Sequence, residues 1–211
     1  MRVPTHRDVR RATVRIHKHL DPTPVLRSGR LNAHLKLENL QVTGAYKVRG
    51  ALNALSIQVE RGDHRPVVAA SAGNHSAGMA WAADRLGLSC TAVVPSSAPR
   101  AKIEATRALG AEVIIHGDRF EDAARLAEEL GTQRGYRLLH PFDDPDVIAG
   151  QGSVAMELLE YRPDVVIVPI GGGGLASGVA LALRRFGVRV VGVQVEGVDS
   201  MRRTLAGLRP F

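Results

Sequence analysis

Apolar residues fall along this chain in two alternating kinds of run. Short stretches rich in β-branched residues occur at 66–70 ("PVVAA"), 89–95 ("SCTAVVP"), 111–117 ("AEVIIHG"), 164–170 ("DVVIVPI") and 188–195 ("VRVVGVQV"). Their length and composition predict strands. The segments "AHLKLE" (33–38) and "YRLLH" (136–140) predict two shorter ones. Between them, apolar positions recur at helical spacing over 46–60, 75–86, 99–109, 119–131, roughly 144–161 and 174–186. Gly62, Gly87 and Gly110 stand just past three of these segments, where a helix commonly ends on glycine. At the start of the chain, Thr5 reads as a helix N-cap with Asp8 three residues on, and Val9, Ala12, Val14, Ile16 and Leu20 roughly keep one face through His19. Asp21-Pro22-Thr23-Pro24 stops that helix. A last helical piece starts near Asp199.

Near-continuous apolar strands imply burial on both faces, as in a parallel sheet. Their alternation with helices predicts an α/β fold of open parallel sheets with helices on both faces. In such sheets, ligands bind beyond the carboxyl ends of strands. The turns that matter are therefore "SAGNHS" after 66–70, "PSSAPR" after 89–94 and "GGGGLASG" after 164–170.

Composition narrows the function classes. Of 211 residues, 45% are hydrophobic and 23% charged, enough to build a substantial core. No apolar run approaches the ~18 residues of a membrane span, and the N-terminus lacks the pattern of a secretory signal. A single cysteine, Cys90, excludes an internal disulfide and a multi-cysteine metal site, and a cytoplasmic protein without a metal centre is the expectation. The net charge of +7 raises the question of nucleic acid. The arginines are scattered among acids, as in "RFEDAARLAEELGTQRG", and only eight residues are aromatic, so neither a basic block nor a stacking platform exists.

Three features point to chemistry. Gly171, Gly172, Gly173 and Gly174 follow a strand and precede a helix. Successive amides at a helix N-terminus make a cradle for phosphate, and glycine lets the anion come close. No Lys-Ser/Thr follows, so this is not a Walker loop. Ser71, Gly73, Asn74 and His75 form a second polar turn at a helix start, with amides suited to a carboxylate; the alternative is that Ser71 or Asn74 merely caps the helix. The third feature is Lys47, one of four lysines against 24 arginines. It sits at the start of a helix, an unfavourable place for a cation, and a lysine that acts as a nucleophile needs a depressed pKa. Together these three are the parts of a pyridoxal phosphate site.

The segments "KLENLQVTGAYKVRGALNAL", "SAGNHSAGMAWAA", "DDPDVIAGQGSVAMEL" and "VIVPIGGGGLASGVA" resemble, in order and spacing, the serine/threonine dehydratase branch of the fold-type II pyridoxal phosphate enzymes. The resemblance implies roles for particular residues. Lys47 would be joined to the cofactor and later move the substrate's α-proton, with Tyr46 packed near the ring. Asn74 would hydrogen-bond the ring's 3′-oxygen. Ser71, Gly73, Asn74 and His75 would hold the carboxylate of a small amino-acid substrate. Gly171, Gly172, Gly173, Gly174 and Leu175 would bind the phosphate. The implied reaction is β-elimination from L-threonine or L-serine to a 2-oxo acid and ammonia. Serine racemases of the family carry a second serine directly before the Gly-Asn pair; here that position is Ala72, which favours the dehydratase over a racemase.

The resemblance also sets an expectation about domains. Relatives insert a smaller domain, here about residues 41–142, into a larger one, here 1–40 with 143–211. Relatives continue past the point matched by residue 211, so the larger domain is expected to be incomplete and to expose an apolar sheet edge. The reading set against the enzyme is a non-catalytic remnant that still binds the cofactor or is completed by another chain. A homo-oligomer is compatible with either.

Overall fold

The computed structural model describes residues 2–208, so residue 1 and residues 209–211 of the expected larger domain lie outside the described residues. The chain divides into two compact units, Thr23–Pro141 and Met1–Pro22 with Phe142–Phe211.

In the unit of Thr23–Pro141, four strands form one parallel sheet: β3 (Val67–Ala70), β4 (Cys90–Val94), β5 (Glu112–Ile115) and β6 (Arg137–Leu138), in the order β5-β4-β3-β6. Val68 and Val93 turn one face toward Ala123, Ala127 and Leu130 of α5 (Phe120–Gln133). Val67 and Ala69 lie on the opposite face by strand alternation and are fully buried, and α3 (Asn74–Leu86) packs against β3 and β4. The sheet is therefore covered on both sides, as its continuous apolar strands require. α2 (Lys47–Glu60) packs on α3, and α4 (Arg100–Ala108) joins β4 to β5. This unit also holds an antiparallel hairpin of β1 (Val25–Ser28) and β2 (Ala33–Lys36), in register Val25 to Lys36. The pattern of apolar positions predicts β2 but not β1, and Leu26 in β1 is exposed.

In the other unit, α1 (His6–Ile16) begins on the expected capping box. The Thr5 amide and hydroxyl donate to the Asp8 carboxylate at 2.8 and 2.7 Å. Val9, Ala12 and Ile16 are buried, whereas Val14 is exposed and Leu20 falls beyond the helix. The segment expected as one helix near 144–161 is broken into α6 (Pro145–Gln151), α7 (Ser153–Met156) and a short 3-10 turn at Leu159–Tyr161. β7 (Val165–Pro169) and β8 (Arg189–Val193) pair in parallel around α8 (Gly174–Leu183), and α9 (Ser200–Leu205) follows. Val9, Ala155, Val168, Val179, Ala182 and Leu183 form the core. Burial of strands on both faces does not extend to this sheet: Ile167 is 70% and Val193 51% exposed. No helix among the described residues is long and apolar enough to cross a membrane.

Candidate functional site

Lys47 is the first residue of α2. Its Nζ donates to the carbonyl of Pro141 at 2.7 Å and lies 5.5 Å from the centre of the Tyr46 ring. No carboxylate among the described residues pairs with it. Burial lowers the amine's pKa below the ordinary lysine value, and raises that of the neighbouring Tyr46 phenol. The depression expected from the helix N-terminus therefore has desolvation as its cause. A half-buried amine beside an aromatic ring, paired with no carboxylate among the described residues, gives up its proton more readily than a surface lysine.

Two contacts fix the backbone around this lysine. Arg49, fully buried, donates through Nε and Nη2 to the Glu38 carboxylate at 2.8 and 2.9 Å. The Thr23 hydroxyl donates to the same carboxylate. Gly78, inside α3, faces the first turn of α2: a side chain there would put its Cβ 2.8 Å from Val48 N and 3.0 Å from the Lys47 carbonyl carbon.

The turn at the start of α3 is built as the sequence implies, with one difference. The Ser71 hydroxyl accepts the Gly73 amide at 3.2 Å, so both groups already bond within the turn. Asn74 is exposed at the first position of α3. The His75 ring is buried, and its Nε2 donates to the Leu139 carbonyl at 2.9 Å. Only the backbone of His75, and not its ring, is thus available to a carboxylate. The first amides of a helix have no acceptor inside it, and α3 presents these beside the Ser71 turn.

In the other unit, the glycine run lies between β7 and α8. Gly173 has φ +90°, a left-handed conformation that disfavours any side chain. A Cβ on Gly172 would collide with the Phe142 ring, and one on Gly173 would meet the Met201 methyl at 2.6 Å. At Gly171 nothing lies within 4 Å of that position. Part of the glycine requirement is therefore packing: one side of the loop is filled by Phe142 and Met201. Gly171 and Gly172 remain exposed, and the Leu175 and Ala176 amides belong to the first turn of α8, where no intrahelical acceptor exists. A helix N-terminus of this kind fits a phosphate.

Lys47, Tyr46, Ser71, Gly73, Asn74 and His75 fall in the unit of Thr23–Pro141, and Gly171 to Leu175 in the other. Glu38, Arg49, Gly78 and the carbonyls of Leu139 and Pro141 escape a reading of the sequence. The available signals are an arginine on an otherwise apolar helix and an isolated glycine inside a helical pattern. Among the described residues, no cluster of three or more His, Cys, Asp or Glu side chains could hold a metal.

Residues 16–210 match the profile of the family described as pyridoxal-phosphate dependent enzymes. The chain is 48% identical over 176 residues to an L-threonine ammonia-lyase of Thermotoga maritima, covering 82% of this chain and 44% of that protein. It is 40% identical over 205 residues to the catabolic L-threonine dehydratase TdcB of Staphylococcus aureus, covering 92% of this chain and 59% of that one. The solved structure of the processed form of threonine deaminase isoform 2 from Solanum lycopersicum superposes with a TM-score of 0.88 at 33% identity, covering 98% of this chain and 62% of that one. The chain thus spans about half the length of the curated relatives it matches.

Proposed function

This chain belongs to the family of pyridoxal-phosphate-dependent enzymes, and from that premise we propose that it carries the site of a threonine/serine ammonia-lyase. The observation that supports this reading most is the Lys47 amine, half-buried, paired with no carboxylate among the described residues and set beside Tyr46. The names of the two relatives reported above, threonine ammonia-lyase and threonine dehydratase, point to the same reaction.

Lys47 Nζ would hold pyridoxal phosphate through its aldehyde carbon, with the Tyr46 ring packed near it. Asn74 would donate to the ring's 3′-oxygen, and the amides of Gly171, Gly172, Gly173, Gly174 and Leu175 would bind the phosphate. When bound, the cofactor supplies a conjugated ring that takes up the electron pair left at the substrate's α-carbon. The turn of Ser71, Gly73, Asn74 and His75 would hold the substrate carboxylate through the Asn74 and His75 amides and the Ser71 hydroxyl proton, the Ser71 amide being donated to Val93 and the Gly73 amide to Ser71 Oγ, so that the Cα–H bond is presented to Lys47. The neutral amine at Lys47 Nζ would take that proton. Loss of the β-hydroxyl and hydrolysis give a 2-oxo acid and ammonia. A racemase needs a second base on the opposite face, and Ala72 offers no hydroxyl for it. A small amino acid is the only partner this reading calls for, and a cytoplasmic location suits it.

The test is turnover of L-threonine by the purified chain with added pyridoxal phosphate, read as 2-oxobutanoate. Production that is lost in Lys47→Ala supports the reading. Cofactor binding at Lys47 without 2-oxobutanoate from threonine or pyruvate from serine would favour the non-catalytic alternative.

A further inference from the structure

Two features of α3 bear on the atoms around Lys47 apart from the amides that would meet a substrate: the ring of His75 and the missing side chain of Gly78. The first is His75. A carbonyl oxygen only accepts, so the 2.9 Å contact with Leu139 O requires a proton on Nε2. Leu139 is buried and sits two residues before Pro141, whose carbonyl holds Lys47 Nζ at 2.7 Å. The buried ring thereby ties the segment that accepts the lysine amine to the start of α3. The second is Gly78, one turn further along the same helix. Its missing side chain lets α3 lie against the Lys47–Val48 peptide, where any Cβ would come within 2.8 Å of Val48 N. One contact sets where the lysine's backbone is, and the other sets where its amine rests.

We infer that His75 and Gly78 are positioning residues for Lys47: α3 fixes the lysine's backbone through Gly78 and its amine through the His75–Leu139–Pro141 path. This rests on the reading of Lys47 as the reactive amine. The consequence is that the carboxylate turn at the head of α3 and the lysine at the head of α2 are held at one spacing by α3 itself. An alanine at 78 must push the two helix starts apart. A residue at 75 unable to donate leaves Pro141 free to drift and the amine free to reach water.

The experiment labels the cofactor-free chain with acetic anhydride and follows acetylation of Lys47 by mass spectrometry, with Lys18 and Lys102 as internal references. Acetylation proceeds through the neutral amine, so a Lys47 returned to water, and therefore more fully protonated, is labelled more slowly. Variants are Gly78→Ala, His75→Leu and His75→Gln; glutamine retains an amide N–H at about the reach of Nε2. Slower labelling of Lys47 by threefold or more in Gly78→Ala and His75→Leu, with His75→Gln close to the parent, is the expected result. Unchanged labelling in Gly78→Ala and His75→Leu, with circular dichroism showing the fold intact, would overturn the inference. So would equal slowing in His75→Gln and His75→Leu. Should Gly78→Ala not fold, the His75 pair decides alone. Adding pyridoxal phosphate to the parent chain separates the two proposals. Labelling shifts without any cofactor absorbance at Lys47 would leave positioning standing and remove the function. Cofactor absorbance with unchanged labelling would do the reverse.

Discussion

Removing the Glu38 carboxylate should destabilise the unit that carries Lys47 far more than a surface substitution would. Arg49 has no exposed side-chain area and Glu38 only 14%, and two guanidinium N–H groups reach the carboxylate at 2.8 and 2.9 Å. At an effective dielectric of about 20, unit charges at such separation attract by roughly 6 kcal/mol before desolvation is counted. Breaking a buried pair from one side costs about 3–5 kcal/mol, because the remaining charge keeps its desolvation penalty. Glu38→Ala also leaves the Thr23 hydroxyl without this acceptor. Trp81, the single tryptophan, lies in α3 of the same unit, so its fluorescence in urea reports this unfolding. With a slope of about 2 kcal/mol per molar urea, the midpoint should fall by roughly 1.5–2.5 M. Replacing both partners, Glu38→Leu with Arg49→Met, should recover most of that loss, since an apolar pair carries no desolvation penalty. A Glu38→Ala midpoint within 0.3 M of the parent (about 0.6 kcal/mol at that slope) would refute the argument. A double variant as unstable as the single would refute it too.

Other outcomes follow from single contacts. Gly172→Ala should cost about 1–3 kcal/mol by overpacking against Phe142, and pairing it with Phe142→Ala should restore part of the loss; thermal melts by circular dichroism measure both. At Asp8, burial acts to raise the carboxyl pKa, but hydrogen bonds from Thr5 and the Arg2 guanidinium outweigh it and hold it below the ordinary range. Its contribution is therefore complete above the unfolded pKa of about 3.9 and is lost as pH falls through the folded value. Asp8→Asn should flatten that acid limb in a pH series of melts, and Thr5→Ala should cost about 1 kcal/mol at neutral pH.

The sequence is legible where local chemistry decides the outcome. The capping box at Thr5 and Asp8 closes as its spacing implies, and Val67 to Ala70 and Cys90 to Val94 are parallel strands because a continuous apolar run must be covered on both faces. It is illegible where pairing is made by the backbone alone. β1 has no buried alternating face to announce it, and it is defined by its ladder with β2. The helix read over 144–161 breaks beside Gly152, where Val9 and the Gly178 carbonyl approach too closely for a Cβ. At the site, the importance of Lys47 is visible from its surroundings, but its acceptor is not, since Pro141 stands 94 residues away. His75 is the instructive case: its place in the turn suggests a backbone amide for a carboxylate, and the sequence gives no sign that its ring Nε2 donates to Leu139, a contact only the folded chain reveals.

Lys47 is the residue proposed to take the cofactor. The most direct measurement is the absorbance spectrum of the purified chain with pyridoxal phosphate, followed by borohydride reduction and peptide mapping. A new absorbance band, absent in Lys47→Ala, with the reduced cofactor on Lys47 alone, is the predicted result. No band, or a label spread over Lys18, Lys36 and Lys102, would contradict it.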